Sequence, residues 1–326
     1  MCRRALTAAW LRLAALLLPS ALLPAALLPA ALLSAALLSA PATAQEPLRL
    51  VVCAPAGSTV DITARLWADA LKDRLGQPVV VEPRAGAGGM VGVEHVARAR
   101  ADGMTALVCF PGSFTMRPHL GAPMPVDPNA ALVPVALLAT APFVFAADAR
   151  LGATLPDFLT RAKQPGADLS YASVGNGSLA HLGMELFKAR TGVALVHVPY
   201  RGSPEAIADL LGGRIAAFIT PLSAIAGQIA EGRIAALFTT GEARLPQLPA
   251  VPTAREAGLP DLTVITWHGL FLPAGVPDAA LARLSAAVLA AAREDQRLRE
   301  GLARAGSDLP VTTPAEARAH RVAESA

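Results

Sequence analysis

The sequence has little of what most catalytic and metal-binding proteins need. Only 16% of its 326 residues are charged, 4% are aromatic, and three are cysteines. It contains no C-x-x-C pair and no cluster of cysteine with histidine, so we expect no bound metal. With 53% hydrophobic residues, the chain is too apolar to remain disordered.

Acidic residues are missing from the first 44 positions, which contain three arginines. The whole chain has 28 basic and 25 acidic residues, so the remainder has 25 of each and no net charge. The excess of positive charge therefore belongs to this leader. Because no basic surplus is left elsewhere, we do not expect the protein to bind nucleic acid.

The leader has the three parts of a secretory signal: a basic start, a long apolar stretch, and an A-x-A cleavage site at residues 42–44. Residues 21–40 are four copies of one pentapeptide, which we interpret as a repeat expansion. The alternative is an uncleaved membrane anchor, since the apolar stretch could span a bilayer. Pro24, Pro29 and the A-x-A site favour cleavage. We predict a signal peptide over residues 1–44 and export of the rest.

Familiar catalytic patterns are also missing. The sequence has no G-x-S-x-G, S-x-x-K or H-E-x-x-H pattern, and no glycine-rich loop ending in G-K-[ST]. Residues 86–92, GAGGMVG, follow a strand and approach a dinucleotide fingerprint. Their spacing is off by one residue, and the next strand ends without an acidic residue to hold a ribose. We therefore predict a protein without a cofactor.

Short apolar strands alternate with helical patterns along the exported part. The first helix is predicted over residues 61–75, ended by Gly76. Strands are predicted at residues 48–53, 79–81, 105–109, 171–172, 195–198, 215–219 and 235–239. Apolar strands between helices are typical of sheets covered on both faces, so the fold class is α/β. The length suggests two domains of moderate size.

Small polar residues occupy the points where strands pass into helices. Ser58 and Asp61 form a helix cap, and residues 173–178, SVGNGS, lead into another helix. Ser203 is expected to cap a third helix, with Pro204 in its first turn. Such starts direct free N–H groups and partial positive charge toward one sheet edge, where an anion can bind. A single cap usually does no more than begin a helix. Three such helix starts, distributed over the two halves of the chain, predict an anion site.

These loops resemble those of the Bug receptors, the periplasmic substrate-binding proteins of tripartite tricarboxylate transporters. The similarity is strongest at residues 171–178, YASVGNGS, with His181, and it includes residues 50–57, LVVCAPAG, with residues 61–65, DITAR. Further blocks lie at residues 75–82, 86–89, 101–103, 197–203, 209–213, 248–253, 256–260, 267 and 269–277. Together they cover essentially the whole exported chain.

The resemblance implies a two-lobed, type II periplasmic-binding-protein-like fold, with parallel or mixed sheets, helices on both faces and two crossing strands as hinge. Residues 45–143 and 268–326 would form lobe 1, and residues 144–267 lobe 2. It also implies a monomeric, non-enzymatic receptor in the periplasm. That receptor would bind a small carboxylate between its lobes and deliver it to membrane transporter subunits. The alternatives are a solute-sensing receptor without a transporter, or an unrecognised enzyme using His181 and Ser178.

The same resemblance assigns ligand-binding residues to loops of both lobes. In lobe 1 they are Ala56, Gly57, Ser58, Thr59, Asp61 and Ser113. In lobe 2 they are Ser173, Gly175, Asn176, Gly177, Ser178, His181, Tyr200, Arg201 and Ser203.

Two departures from the family's pattern bear on the ligand. Val60 stands where the family's first loop has a hydroxyl residue, and Thr220 stands where an acid often follows a strand. A buried ammonium would need that acid, so Thr220 disfavours a ligand with an amino group. His268 interrupts an apolar run, residues 264–272, and either lines a cleft or is packed in the core.

Cys53 and Cys109 end the first and third predicted strands. In doubly wound sheets with strand order 2-1-3 these strands are neighbours about 4.8 Å apart, within the Cα range of a disulfide. Side chains on neighbouring parallel strands point the same way without facing one another. We therefore predict two close but free thiols at the floor of the cleft.

Overall fold

The computed structural model describes residues 46–121 and 124–325. The predicted signal peptide, residues 1–44, lies outside the described residues. None of the helices in the described stretches combines the length and apolar character needed to cross a membrane.

Nine strands and ten helices are found in the described residues. The strands are β1 Leu48–Val52, β2 Val79–Pro83, β3 Thr105–Cys109, β4 Leu132–Asp148, β5 Ser170–Ser173, β6 Val196–Pro199, β7 Ala217–Pro221, β8 Ile234–Thr239 and β9 Ile265–Pro273. The α-helices are α1 Thr59–Leu75, α2 Met90–Ala97, α3 Pro128–Ala131, α4 Leu155–Ala162, α5 Leu179–Thr191, α6 Ser203–Leu211, α7 Ala226–Ala230, α8 Asp278–Glu294, α9 Gln296–Arg304 and α10 Pro314–Ser325. Short 3₁₀ turns lie at Ala87–Gly89, Pro111–Ser113, Arg117–Leu120, Ala149–Leu151 and Leu222–Ala224.

The strands follow the order β2-β1-β3-β9-β4-β7-β5-β6, with β8 also paired to β4. β1 is parallel to β2 and β3, and β5 is parallel to β6 and β7. The long strands β4 and β9 are antiparallel to each other. The predicted order 2-1-3 and the mixed α/β architecture with two crossing strands are thus confirmed.

Strand β4 belongs to both halves of the sheet. Its first part pairs with β9 as far as Pro142, opposite Ile265. From Phe143 onward it pairs with β7 and β8. The two crossings therefore lie side by side, one at Pro142 and the other at Ile265.

Separate apolar cores lie on the two sides of these crossings. On one side Trp67 is fully buried, and its Nε1 donates to the Leu138 carbonyl at 2.9 Å. On the other, Phe145 packs among three phenylalanines, with ring centroids 4.6 Å from Phe187 and 4.9 Å from Phe238. The predicted lobe boundaries stay a prediction, and "lobe 1" and "lobe 2" are used below in that sense.

The prediction of free thiols is wrong, because Cys53 and Cys109 form a disulfide with a Cα–Cα distance of 5.3 Å. The last paired residues of β1 and β3 are Val52 and Val108. Cys53 follows in a bend, outside the strand, so its side chain is not held to the direction that strand geometry imposes. It can therefore turn toward Cys109.

Candidate functional site

A cavity lies between the two lobes. The start of α1 and the loop before α2 line it from lobe 1, and the starts of α5 and α6 and the end of β7 line it from lobe 2. The crossing strand β9 contributes Thr266 and His268. Its volume is about 60 Å³. One water needs roughly 10–15 Å³ by this measure, so the space suits a few waters or a small organic ion.

The lobe 1 wall is the N-terminus of α1. Ser58 is the N-cap and accepts from the Asp61 N–H at 3.3 Å, as predicted. Ser58 and Thr59 line the cavity. The Asp61 carboxylate instead accepts from the Gly57 N–H and from the Arg65 guanidinium, each at 2.9 Å. Asp61 therefore holds the loop in shape.

The remaining predicted residues of lobe 1 do not lie on this wall. Ala56, Gly57 and Ser113 are not among the described residues that line the cavity. Ser113 is fully buried and donates to the Gly88 carbonyl at 2.8 Å. Gly88 is itself a lining residue. The glycine loop rejected above as a nucleotide site is therefore part of the cavity wall.

The lobe 2 wall begins at the N-terminus of α5. Ser178 is the N-cap: it accepts from the His181 N–H at 3.2 Å and donates to the Gly175 carbonyl at 2.8 Å. Ser178 lines the cavity together with Leu179 and Ala180. A second free helix start thus faces the cavity, from the side opposite α1.

The start of α6 adjoins that of α5 on the cavity wall. Arg201, Gly202 and Ser203 line the cavity there. The prediction that Ser203 caps the helix is wrong, because Gly202 is the N-cap and the Ser203 side chain makes no capping bond. Ser203 is nevertheless only 4% exposed. The Ser203 hydroxyl therefore belongs to the cavity wall and does not cap the helix.

Other predicted residues of lobe 2 lie next to the cavity rather than on it. Asn176, Gly177 and His181 line an adjoining space that also contains Ser178. Tyr200 is not on either wall, and its hydroxyl donates to Asp209 at 2.6 Å. Burial and this carboxylate raise the pKa of Tyr200 to about 12.

A buried polar network supports the loop at residues 174–177. Ser173 is fully buried; its Oγ lies 2.6 Å from His197 Nε2 and accepts from the Gly175 N–H at 3.1 Å. The His181 ring stacks on the His197 ring with centroids 4.2 Å apart. Burial, and then the neighbouring His181, lower the pKa of His197. These contacts fix the shape of the loop.

Ser178 and His181 do not form a nucleophile–base pair. The Ser178 hydroxyl donates to the Gly175 carbonyl, while His181 Nδ1 accepts from the Gly177 N–H at 3.1 Å. Among the described residues, no hydrogen bond joins the two side chains. A base that activates a nucleophile should lie within hydrogen-bond reach of it.

Several wall residues were missed by sequence reasoning. Phe110, Phe143 and Phe218 give the wall an apolar part, and Thr220 lies beside them. The Thr220 hydroxyl is buried and has no hydrogen-bond partner among the described residues. In the sequence, the only sign that position 220 belongs to the site was that a threonine replaces the acid often found there in the similar family. The phenylalanines gave no signal, because core and cavity phenylalanines look alike in a sequence.

The electrostatics of the cavity favour an anion. Of the described residues that line it, Arg201 alone carries a charge. Burial lowers the pKa of His268 to about 4, so its ring is neutral near pH 7. Two helix starts add partial positive charge from opposite sides. An anion would find donors here and no carboxylate to repel it.

Known proteins resemble this chain in sequence and fold. Residues 63–324 match the model of a family described as "Tripartite tricarboxylate transporter family receptor". Protein BugT of Bordetella pertussis is 34% identical over 274 residues, which are 83% of this chain and 84% of that protein.

Two solved structures share the fold at similar identity. "R. palustris Rpa4515 with adipate" has a TM-score of 0.82 and 31% identity, covering 86% of this chain and 94% of that one. "MatC (Rpa3494) from Rhodopseudomonas palustris with bound malate" has a TM-score of 0.79 and 30% identity, covering 86% and 97%.

Proposed function

This chain belongs to the receptor family of the tripartite tricarboxylate transporters, and we propose that it binds a small carboxylate in the cavity between its lobes. One observation carries the proposal: the starts of α1 and α5 face the same cavity from opposite sides, and none of the described residues on its wall is acidic. Free N–H groups at a helix start are a ready-made site for a carboxylate. The two related structures described above contain adipate and malate.

The proposed ligand contacts are the predicted residues that line the cavity. They are Ser58, Thr59, Ser178, Arg201 and Ser203. We assign a supporting role to the loop residues that do not line the cavity and whose polar atoms bond within the loops. They are Gly57, Asp61, Ser113, Ser173 and Gly175. Ala56 is left without a proposed contact. Asn176, Gly177 and His181 would act at the adjoining space, and Tyr200 is left without a proposed contact.

The receptor would work in the periplasm, after removal of residues 1–44, as a monomer that docks on membrane transporter subunits. Binding would proceed without turnover, since Ser178 and His181 are not arranged as a nucleophile and base. No ligand amino group is expected, because Thr220 offers a hydroxyl and not a carboxylate.

A thermal-shift screen of carboxylates, amino acids, sugars and cations tests this proposal. A ligand at a hundred times its Kd stabilises the folded state by about 2.7 kcal/mol, so at least one small mono- or dicarboxylate should raise the Tm clearly. Native mass spectrometry of protein purified without refolding should detect a retained acid. Stabilisation by sugars or cations alone would refute the proposal.

Arg201→Gln provides the matching variant. Arg201 lines the cavity. Arg190 of the same lobe lies away from the cavity and forms an ion pair with Asp261, with an N–O distance of 2.9 Å. The Arg201 variant should bind the best carboxylate about tenfold more weakly. Arg190→Gln should bind it as the wild type does.

A further inference from the structure

His268 lies on the crossing strand β9, and its side chain lines the cavity although the residue is only 3% exposed. Its Nδ1 lies 2.8 Å from the hydroxyl of Thr63 on α1, which is also 3% exposed. Thr63 thus fixes one ring nitrogen of a histidine that borders the cavity.

The second ring nitrogen, Nε2, has no hydrogen-bond partner among the described residues. Thr220 Oγ1 is also unpaired, but the surrounding protein encloses it completely. Nε2 of His268 is not enclosed in this way and keeps some accessible surface. The residue is buried and lines the cavity, so the accessible side of Nε2 is the cavity side. A polar atom in this position is available to a ligand.

Thr63 allows the ring two neutral arrangements. Its hydroxyl lies 3.1 Å from the Thr59 carbonyl and 2.8 Å from His268 Nδ1, and it has one proton to donate. When that proton points to Thr59, Nδ1–H donates to Thr63 and Nε2 is an acceptor. When it points to Nδ1, Nε2–H is a donor. Both arrangements satisfy the buried atoms.

Protonation would not compete with these two arrangements near neutral pH. Burial lowers the pKa of His268 to about 4, and no acidic side chain among the described residues bonds to the ring. A neutral imidazole switches between donor and acceptor by moving a proton between its nitrogens, without acquiring charge.

We propose that His268 is a ligand-binding residue that contacts an oxygen of the carboxylate ligand through Nε2, and that Thr63 is the positioning residue that sets its tautomer. This inference rests on the proposed function. The ligand class that fits is a small acid carrying a second oxygen group. A keto or carboxylate oxygen would receive the Nε2–H bond, and a hydroxyl could donate to Nε2.

The test measures binding of malate, succinate and adipate by calorimetry, with ¹⁵N NMR of the histidine rings. His268→Phe should weaken binding of the best of these acids roughly ten- to a hundredfold, the effect of losing one bond to a charged group. His95→Phe, on α2 and away from this cavity, should bind as the wild type does.

Thr63→Val separates positioning from packing. It keeps the shape of the side chain but leaves the buried Nδ1 of His268 without its partner, so the Tm should fall moderately, and the ¹⁵N shifts of His268 in the free protein should move toward a different tautomer mixture. In the wild type, the best acid should shift Nε2 of His268. This NMR result needs no mutant and stands even if His268→Phe does not fold.

Three outcomes are distinguishable. If the wild type binds one of the three acids, or another carboxylate found in the screen above, and His268→Phe binds that acid equally or Nε2 does not respond, this inference fails while the proposed function survives. If the wild type binds none of the three acids and no carboxylate stabilises it in the screen above, both fail. Loss of binding with a response at Nε2 supports both.

Discussion

Gly202, at the start of α6, lies so close to Pro55 of lobe 1 that a β-carbon on the glycine would come within 2.7 Å of Cγ and Cδ of the proline ring. The backbone of Gly202 is extended, with φ −177°, which any residue adopts. Glycine is therefore needed here for the close approach and not for its conformational freedom. Pro55 is a rigid ring in the loop that leads into α1.

Gly202→Ala should hold the lobes apart. The added methyl collides only when the lobes are closed, so the ligand-free protein should keep its Tm within a few degrees. Affinity for the best carboxylate should fall at least tenfold, because the walls can no longer meet around it. Calorimetry and thermal denaturation of the same samples measure both effects. Gly227→Ala is the control, since nothing lies within 4 Å of its β-carbon position.

Ser178 and Ser203 both line the cavity but should behave differently when changed to alanine. Ser178 caps α5, so its loss should cost about 1 kcal/mol of unfolding free energy. Ser203 makes no capping bond, so its loss should reduce affinity while stability stays within about 0.5 kcal/mol. Urea denaturation and calorimetry on both variants decide. Equal losses of stability would contradict the distinction.

The buried ring of His268 should make stability depend on pH. Its pKa falls from 6.5 to about 4 on folding, so between these values the unfolded chain binds a proton that the folded protein does not. Stability from this group is therefore complete above about pH 6.5 and is lost as the pH falls toward 4, by roughly 3 kcal/mol in total.

Urea midpoints measured from pH 7 to pH 4 test this dependence. His268→Phe should have a shallower slope over that window, because its ring takes no proton. An unchanged slope would mean that other groups dominate the acid sensitivity.

The disulfide between Cys53 and Cys109 should contribute substantially to stability. It closes a segment with a sequence separation of 56, for which the loss of chain entropy in the unfolded state corresponds to about 4 kcal/mol. The double variant Cys53→Ser/Cys109→Ser should therefore unfold at lower urea concentration. The intact mass of the native protein should be two hydrogens below that of the reduced form. A native mass equal to the reduced mass would contradict the bond.

Much of the fold could be predicted from local patterns. Apolar runs predicted β3 at its observed bounds, and the cap at Ser58 and the glycine at position 76 bracket α1. The helix itself begins at Thr59, two residues before the predicted start, because its N-cap is Ser58 and the first turn follows the cap directly. Such signals are local, involving residues within four positions of each other.

What could not be predicted depends on distant pairings. No local pattern indicates that the 17 residues of β4 form one strand shared by two halves of the sheet, or that β9 pairs with it more than a hundred residues later. The neighbours of His268, including Thr63, are likewise distant in sequence. Ser203 was misassigned because a serine before a proline has the pattern of a cap whether or not its hydroxyl bonds.

The paired strands β4 and β9 also restrict how the molecule can move. Two strands that cross side by side and are hydrogen-bonded to each other bend together readily, but they resist sliding or twisting past one another. We therefore expect the two predicted lobes to open and close mainly by bending at these two strands. Each closure would then bring the same atoms opposite one another, such as those of Gly202 and Pro55, so that enclosing a ligand would cost the lobes little orientational entropy.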